Sequence, residues 1–157
     1  MNEFLQVIVR PAITADLDGY VNLAADFHEA SPMKGVAKFD PDGIRAFLAR
    51  LLENDDALVL VAELDAELVG ITACLLYPLY FSPGYSVVQE LWWWLTPEAR
   101  GNGVGKKMYE AIELWAKSKN AKAIFMIALE DERAGIMEKI YIQSGFRPLE
   151  RTFIKEL

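Results

Sequence analysis

The sequence predicts a mixed α/β fold, with one β-sheet flanked by helices in a single domain spanning residues 1–157. Three observations lead there. Apolar residues gather in short β-branched or aromatic runs in some segments and recur at helical spacing in others. The two kinds of segment follow one another as strand, two helices, three strands, helix, strand, helix, and one or two closing strands. No repeat or low-complexity linker divides the 157 residues, a length that suits one core.

Each element has a local reason. LQVIVR (5–10) is short and β-branched, and Pro11 stops it. Thr14 and Asp16 introduce DLDGYVNLAADFHEA, whose Leu17, Val21, Leu23, Ala24 and Phe27 share a helical face. Asp40-Pro41 reads as an N-cap and first-turn proline for a second helix carrying Ile44, Phe47, Leu48, Leu51 and Leu52. ALVLVAEL (57–64) and ELVGITACLLY (67–77) form a hairpin about Asp65-Ala66, and a Pro/Gly/Tyr loop is expected over 78–85. SVVQELWWWL (86–95) is a strand by its content. A third helix carries Val104, Met108, Ala111, Ile112 and Trp115 on one side. AKAIFMIAL (121–129) reads as a buried strand and DERAGIMEKIYIQS (131–144) as a helix ended by Gly145. FRPLERTFIKEL supplies the closing strands.

Composition removes several function classes. The chain is 53% hydrophobic and 25% charged, as folded globular proteins are. Cys74 and His28 are each the single residue of their kind, so neither an internal disulfide nor a Cys/His metal site is expected. The start, MNEFLQVIVRP, lacks the positive charge of a secretory signal, and the longest apolar run (68–81) is too short for a membrane span. A cytoplasmic protein is expected. The net charge of −7 argues against nucleic acid. It is unevenly spread, with 14 acids and 5 bases in residues 1–90 against 9 acids and 11 bases in 91–157. Such asymmetry suits a cationic ligand facing the first part and an anionic one on the second, or simply solvated faces.

The motif with most chemical content is RGNGVGKK (100–107), between the tryptophan-rich strand and the third helix. A strand, a glycine-rich turn and a helix make a phosphate cradle, because backbone N–H groups at the helix start point at an anion. A P-loop would need Ser or Thr where Lys107 stands, and a dinucleotide fingerprint would need glycine at Lys106. Arg100, Gly103 and Gly105 instead form R-x-x-G-x-G.

With VVQELWWWLTPEARGNGVGKKMYEAIELWA around it and IYIQSGFRPLE downstream, the chain resembles the GNAT family of acyl-CoA-dependent N-acetyltransferases. ELWWWLTPEARGNGVG and ERTFIKEL are also similar to small members found on phage and prophage genomes. The resemblance covers essentially the whole chain. It implies acetyl-CoA as co-substrate, no metal, direct transfer to a primary amine, and, as in many relatives, a possible homodimer. It further implies that Arg100, Gly101, Asn102, Gly103, Val104, Gly105 and Lys106 cradle the CoA pyrophosphate. Pantetheine would lie between splayed fourth and fifth strands, against the backbone of Trp94, Leu95 and Thr96, with the N–H near Leu95 facing the thioester oxygen.

Two side chains are candidates for the proton transfers. Glu90 is the one acid in an apolar strand just before the splay, suited to a base of raised pKa. It could equally be an edge residue paired with an arginine. Strict alternation puts it on the face of Trp92 and Trp94, a relation that a bulge would change. Tyr141 matches the family's tyrosine and would reprotonate the CoA thiolate, or else is a packed helix tyrosine. Trp92, Trp93 and Trp94 read first as core, His28 as a surface residue, Cys74 as buried filler, and Lys107 as a phosphate contact or a solvated residue. The family's asparagine at the start of the tyrosine-bearing helix is replaced by Ala134, so neighbouring Glu130 or Asp131 would have to supply that contact. The acidic first part favours a cationic acceptor. A CoA-binding module without catalysis is the alternative function.

Overall fold

A computed structural model describes residues 6–157. It contains one five-stranded sheet whose strands lie in chain order: β1 (Val7–Pro11), β2 (Ala57–Leu64), β3 (Glu67–Leu79), β4 (Ser82–Leu95) and β5 (Ala123–Phe125). The first four pair antiparallel, and β5 joins β4 in parallel. Helices α1 (Leu17–Ala30) and α2 (Pro41–Leu52) precede β2. Helix α3 (Val104–Ser118) makes the crossover from β4 to β5, and α4 (Ala134–Gln143) follows β5. A mixed sheet flanked by helices is the predicted fold class. No helix among the described residues is long and apolar enough to cross a membrane.

Alternation along the strands builds two cores. Val59, Val61, Ile71 and Ala73 face α1 and α2, where Tyr20, Leu48 and Leu51 are buried with them. Leu58, Leu60, Cys74 and Val88 face the other way, onto Ile112 and Ala116 of α3. Asp40 caps α2 as expected, accepting from Gly43 N at 2.9 Å. The β2–β3 turn is Asp65-Ala66, both at positive φ (52° and 69°), a twist that suits a two-residue hairpin.

β4 breaks its alternation once. The register pairs Cys74 with Glu90 but Ala73 with Trp92, leaving Leu91 as an extra residue. Leu91, Trp92 and Trp94 pack toward α1 and α2, whereas Trp93 and Leu95 pack against Val104 and Met108 of α3. Glu90 therefore lies on the α3 face, opposite to the side that strict alternation assigns it. Thr72 Oγ1 donates to Trp92 O at 2.7 Å, next to the bulge.

Several expected boundaries move. The loop expected over 78–85 is instead a continued hairpin, with Pro78 opposite Ser86, Leu79 opposite Ser82, and Tyr80 and Phe81 at the exposed tip. Pro78 is tolerated because it sits where the register shifts. The strand expected over 121–129 pairs only through 123–125, and α4 begins at Ala134 rather than Asp131. The closing strands expected in residues 146–157 are not formed. β5 offers a neighbour an edge of only three residues, and Pro148 lacks an N–H to donate. Phe153 and Ile154 accordingly remain exposed.

Tyr20, wholly buried, accepts a hydrogen bond from Trp92 Nε1 at 2.8 Å and so ties α1 to the bulged part of β4. Tyr20→Phe keeps the packing but leaves a buried indole N–H unpaired. It should lower unfolding free energy by about 1–3 kcal/mol in denaturant titration, without loss of helical content.

Candidate active site

The sheet parts where β4 and β5 stop pairing. Val87, Val88 and Gln89 lie opposite Ala123, Ile124 and Phe125, yet β4 runs on to Leu95 with nothing from β5 beside it. The next β4 carbonyl, that of Glu90, accepts from Gln89 Nε2 at 3.0 Å. Farther along, Thr96 N donates to Val69 O at 2.9 Å, toward β3. Successive peptide groups of a strand point to opposite edges, so Leu95 N–H points into the gap. Thr96 N–H is engaged on β3, and the alternation turns Trp94 N–H the same way, which leaves Leu95 as the residue of the three whose N–H faces the gap.

The gap leads to the glycine turn. Gly101 and Gly103 have φ of 83° and 77°, a left-handed conformation that side-chain-bearing residues rarely adopt. Gly105 serves another purpose: it lies within α3, where a Cβ would come within 3.3 Å of Leu95 and 3.5 Å of Trp93. It lets the helix start approach the end of β4. No side chain caps α3 at Gly103, so its first N–H groups remain available. Val104 contributes backbone only, since its side chain is wholly buried. Asn102 Nδ2 donates to Glu98 O, and Lys106 is an exposed neighbour of Glu110 at 3.8 Å. Lys107 turns away and donates to Val7 O.

Arg100 is held rather than waving in solvent. Its Nε and Nη2 donate to Leu95 O at 3.2 and 3.1 Å, and its guanidinium lies 4.8 Å from the Trp94 ring centre. Burial, and then the charge of Arg133, push its pKa down. Arg133 stands at the start of α4, and neither guanidinium is ion-paired among the described residues. Two cations unpaired among the described residues, one within reach of the other's charge, add to a favourable field for an anion. Sequence reasoning passed over Arg133, because its charge reaches Arg100 only after β5 has been placed.

Glu90 and Tyr141 come together. Glu90 is 3% exposed, and its Oε2 accepts from Ile127 N at 3.0 Å. Tyr141 is also buried and donates its hydroxyl to Ile127 O at 2.8 Å. Burial pushes the Glu90 carboxyl up to about 7, against the lowering effect of the Ile127 N–H and Tyr141. Burial, and then the Glu90 charge, raise the Tyr141 phenol well above its ordinary value. Cys74 lies opposite Glu90, and burial drives its thiol up to about 12, which suits filler and not a nucleophile.

On the α1 side, Asp26, Glu29, Ala30, Trp94, Thr96, Pro97 and Glu98 line an open groove of about 430 Å³. Its three carboxylates come from α1 and from the turn after β4, and only the fold brings them together. His28 does not join them; its Nε2 pairs with Ala37 O at 2.8 Å. Glu130, a suggested substitute for the missing asparagine, is held instead by Arg151 at 2.9 Å, and Asp131 accepts from Arg133 N at 2.8 Å.

The acetyltransferase (GNAT) family model matches residues 20–140. The chain belongs to the GNAT family. It is an acyltransferase. It is 29% identical over 110 residues to the uncharacterized N-acetyltransferase YhfO of Bacillus subtilis (strain 168), covering 68% of this chain and 70% of that one. The fold is similar to AAC(6')-Iy in complex with the bisubstrate analog CoA-S-monomethyl-acetylneamine, with a TM-score of 0.77, 18% identity, and 97% and 98% of the two chains covered. It is also similar to a ribosomal-protein-alanine N-acetyltransferase from Brucella melitensis biovar Abortus 2308, with a TM-score of 0.74, 18% identity, and 96% and 99% covered.

The Glu90 environment has a measurable consequence. A carboxyl raised from 4.5 to about 7 by folding binds its proton more tightly in the folded chain than in the unfolded one. Stability contributed by that proton is complete below about 4.5 and declines as pH rises toward about 7. Denaturant titrations across this window should show the wild type losing stability relative to Glu90→Gln, which has no proton to release. Parallel curves for the two proteins would contradict the raised value.

Proposed function

We propose that this GNAT chain is an acetyl-CoA-dependent N-acetyltransferase that moves the acetyl group to a primary amine by direct attack, without a covalent enzyme intermediate. The open edge of β4 carries the reading, since it runs from a buried carboxylate past Leu95 N–H to an uncapped helix start. The donor's diphosphate suits the N–H groups after Gly103, with Arg100 and Arg133 supplying positive charge. Leu95 N–H is available to the thioester oxygen as negative charge develops there.

An alkyl ammonium with a pKa of about 10.4 is almost wholly protonated at neutral pH and cannot attack. Glu90, near 7, is suited to accept that proton, directly or through water. The amine nitrogen bonds to the acetyl carbon, the carbon–sulfur bond breaks, and the leaving thiolate takes a proton. Tyr141 is the donor we assign to it, once its hydroxyl leaves Ile127 O. The acceptor we assign is cationic, because Asp26, Glu29 and Glu98 line the groove beside Trp94. Among proteins of similar fold, one is named an aminoglycoside N-acetyltransferase and another a ribosomal-protein-alanine N-acetyltransferase, which supports an amine acceptor.

The test is to titrate acetyl-CoA and then a panel of polyamines, aminoglycosides and peptide N-termini while following free thiol. Thiol release with one class supports the enzyme reading. Tight CoA binding with no release for any amine supports a silent binding module. Glu90→Gln should lower turnover by about 10²–10⁴-fold and abolish the rise of rate through pH 7, with CoA affinity almost unchanged. An unaltered pH profile in that variant would remove Glu90 from the proton transfer.

A further inference from the structure

We infer that Gln89, Glu90 and Tyr141 form a side-chain stop that ends the β4–β5 ladder and holds the donor gap open. The inference deepens the reading of that gap as the donor site and rests on it. The register pairs Val87 with Ala123 and Gln89 with Phe125, so its continuation would set Leu91 opposite Ile127. Leu91 is the residue displaced by the bulge. At this level the polar backbone groups find side chains instead of one another. Glu90 O accepts from Gln89 Nε2 at 3.0 Å. Ile127 N donates to Glu90 Oε2 at 3.0 Å, and Ile127 O accepts from Tyr141 Oη at 2.8 Å.

The arrangement answers a physical problem. Two strands that have begun to pair gain by continuing, because a peptide group shielded from water and left without a partner is costly. Parting is stable only if other partners await the groups released. Three side chains supply them, each from a different direction. Glu90 reaches from the α3 face of β4, Tyr141 reaches from α4, and Gln89 folds back along its own strand. The two residues assigned to proton transfer are therefore also positioning residues for the slot in which the donor lies.

This role predicts a pattern that proton transfer alone does not. Gln retains an oxygen able to accept from Ile127 N, whereas Leu does not. Glu90→Gln should keep CoA dissociation constants within about 2-fold of wild type by calorimetry, while Glu90→Leu, which removes the acceptor of the Ile127 N–H, should weaken binding at least ~10-fold. Tyr141→Phe is nearly isosteric and should weaken CoA binding several-fold besides any effect on kcat. Amide exchange of the 124–129 segment without any donor should accelerate in Glu90→Leu and Tyr141→Phe but not in Glu90→Gln. Wild-type exchange and CoA binding in both deletion variants would overturn the inference. If Glu90→Leu fails to fold, Tyr141→Phe decides by the same two measurements. Absence of CoA binding by the wild type would instead defeat the donor-site reading, while the exchange pattern would still report on the stop.

Discussion

The rest of the structure turns on the parting of β4 and β5. A parallel pair held by α3 would naturally zip along its whole length, and a fully zipped sheet has no free strand edge at which to receive a ligand. Here pairing ends after Gln89, the bulge at Leu91 rotates the strand, and Ile127 is fastened to side chains. The glycine turn, the helix start and the stacked arginine then have a gap to serve. Without that gap they would be an ordinary connection between a strand and a helix.

The bulge links this constraint to the packing. One extra residue in β4 sends Trp92 and Trp94 to the α1 and α2 side while leaving Glu90 on the α3 side with Cys74 and Val88. Tryptophan fills the first core, with Tyr20 satisfying one indole, and Trp94 also forms part of the acidic groove. A carboxylate on the opposite face is stripped of water, and that desolvation is what raises its pKa. Core formation and chemical tuning thus come from the same one-residue displacement. The groove and the carboxylate sit on different faces of β4, with the open edge between them.

Much of this was legible in the chain itself. The hairpin at Asp65-Ala66, the capped α2 and the helical face of α3 follow from local rules that tertiary packing did not override. R-x-x-G-x-G with the tyrosine before Gly145-Phe146 was enough to indicate the family. Less legible were features that depend on pairing. Residues 126–129 have the apolar character of a strand, yet no ladder extends to them, because the groups that would form it bond elsewhere. Residues 146–157 contain Phe153 and Ile154 in a strand-like setting but find no edge long enough to join. Propensity describes what a segment prefers, and a strand needs a partner as well.

The sequence alone determined the class of fold and the glycine turn before α3, and singled out Glu90 and Tyr141 as candidates, since these depend on residue types and neighbours close along the chain. Tertiary structure alone decided which face Glu90 occupies, that Thr96 is engaged on β3, that the charge of Arg133 reaches Arg100, and that Glu90 and Tyr141 meet at Ile127 with Gln89 bonded to Glu90 O. The reason is physical: burial, charge proximity and hydrogen-bond satisfaction depend on distances between residues far apart in the chain. Those distances are set only when the sheet register, with its single bulge, has been fixed.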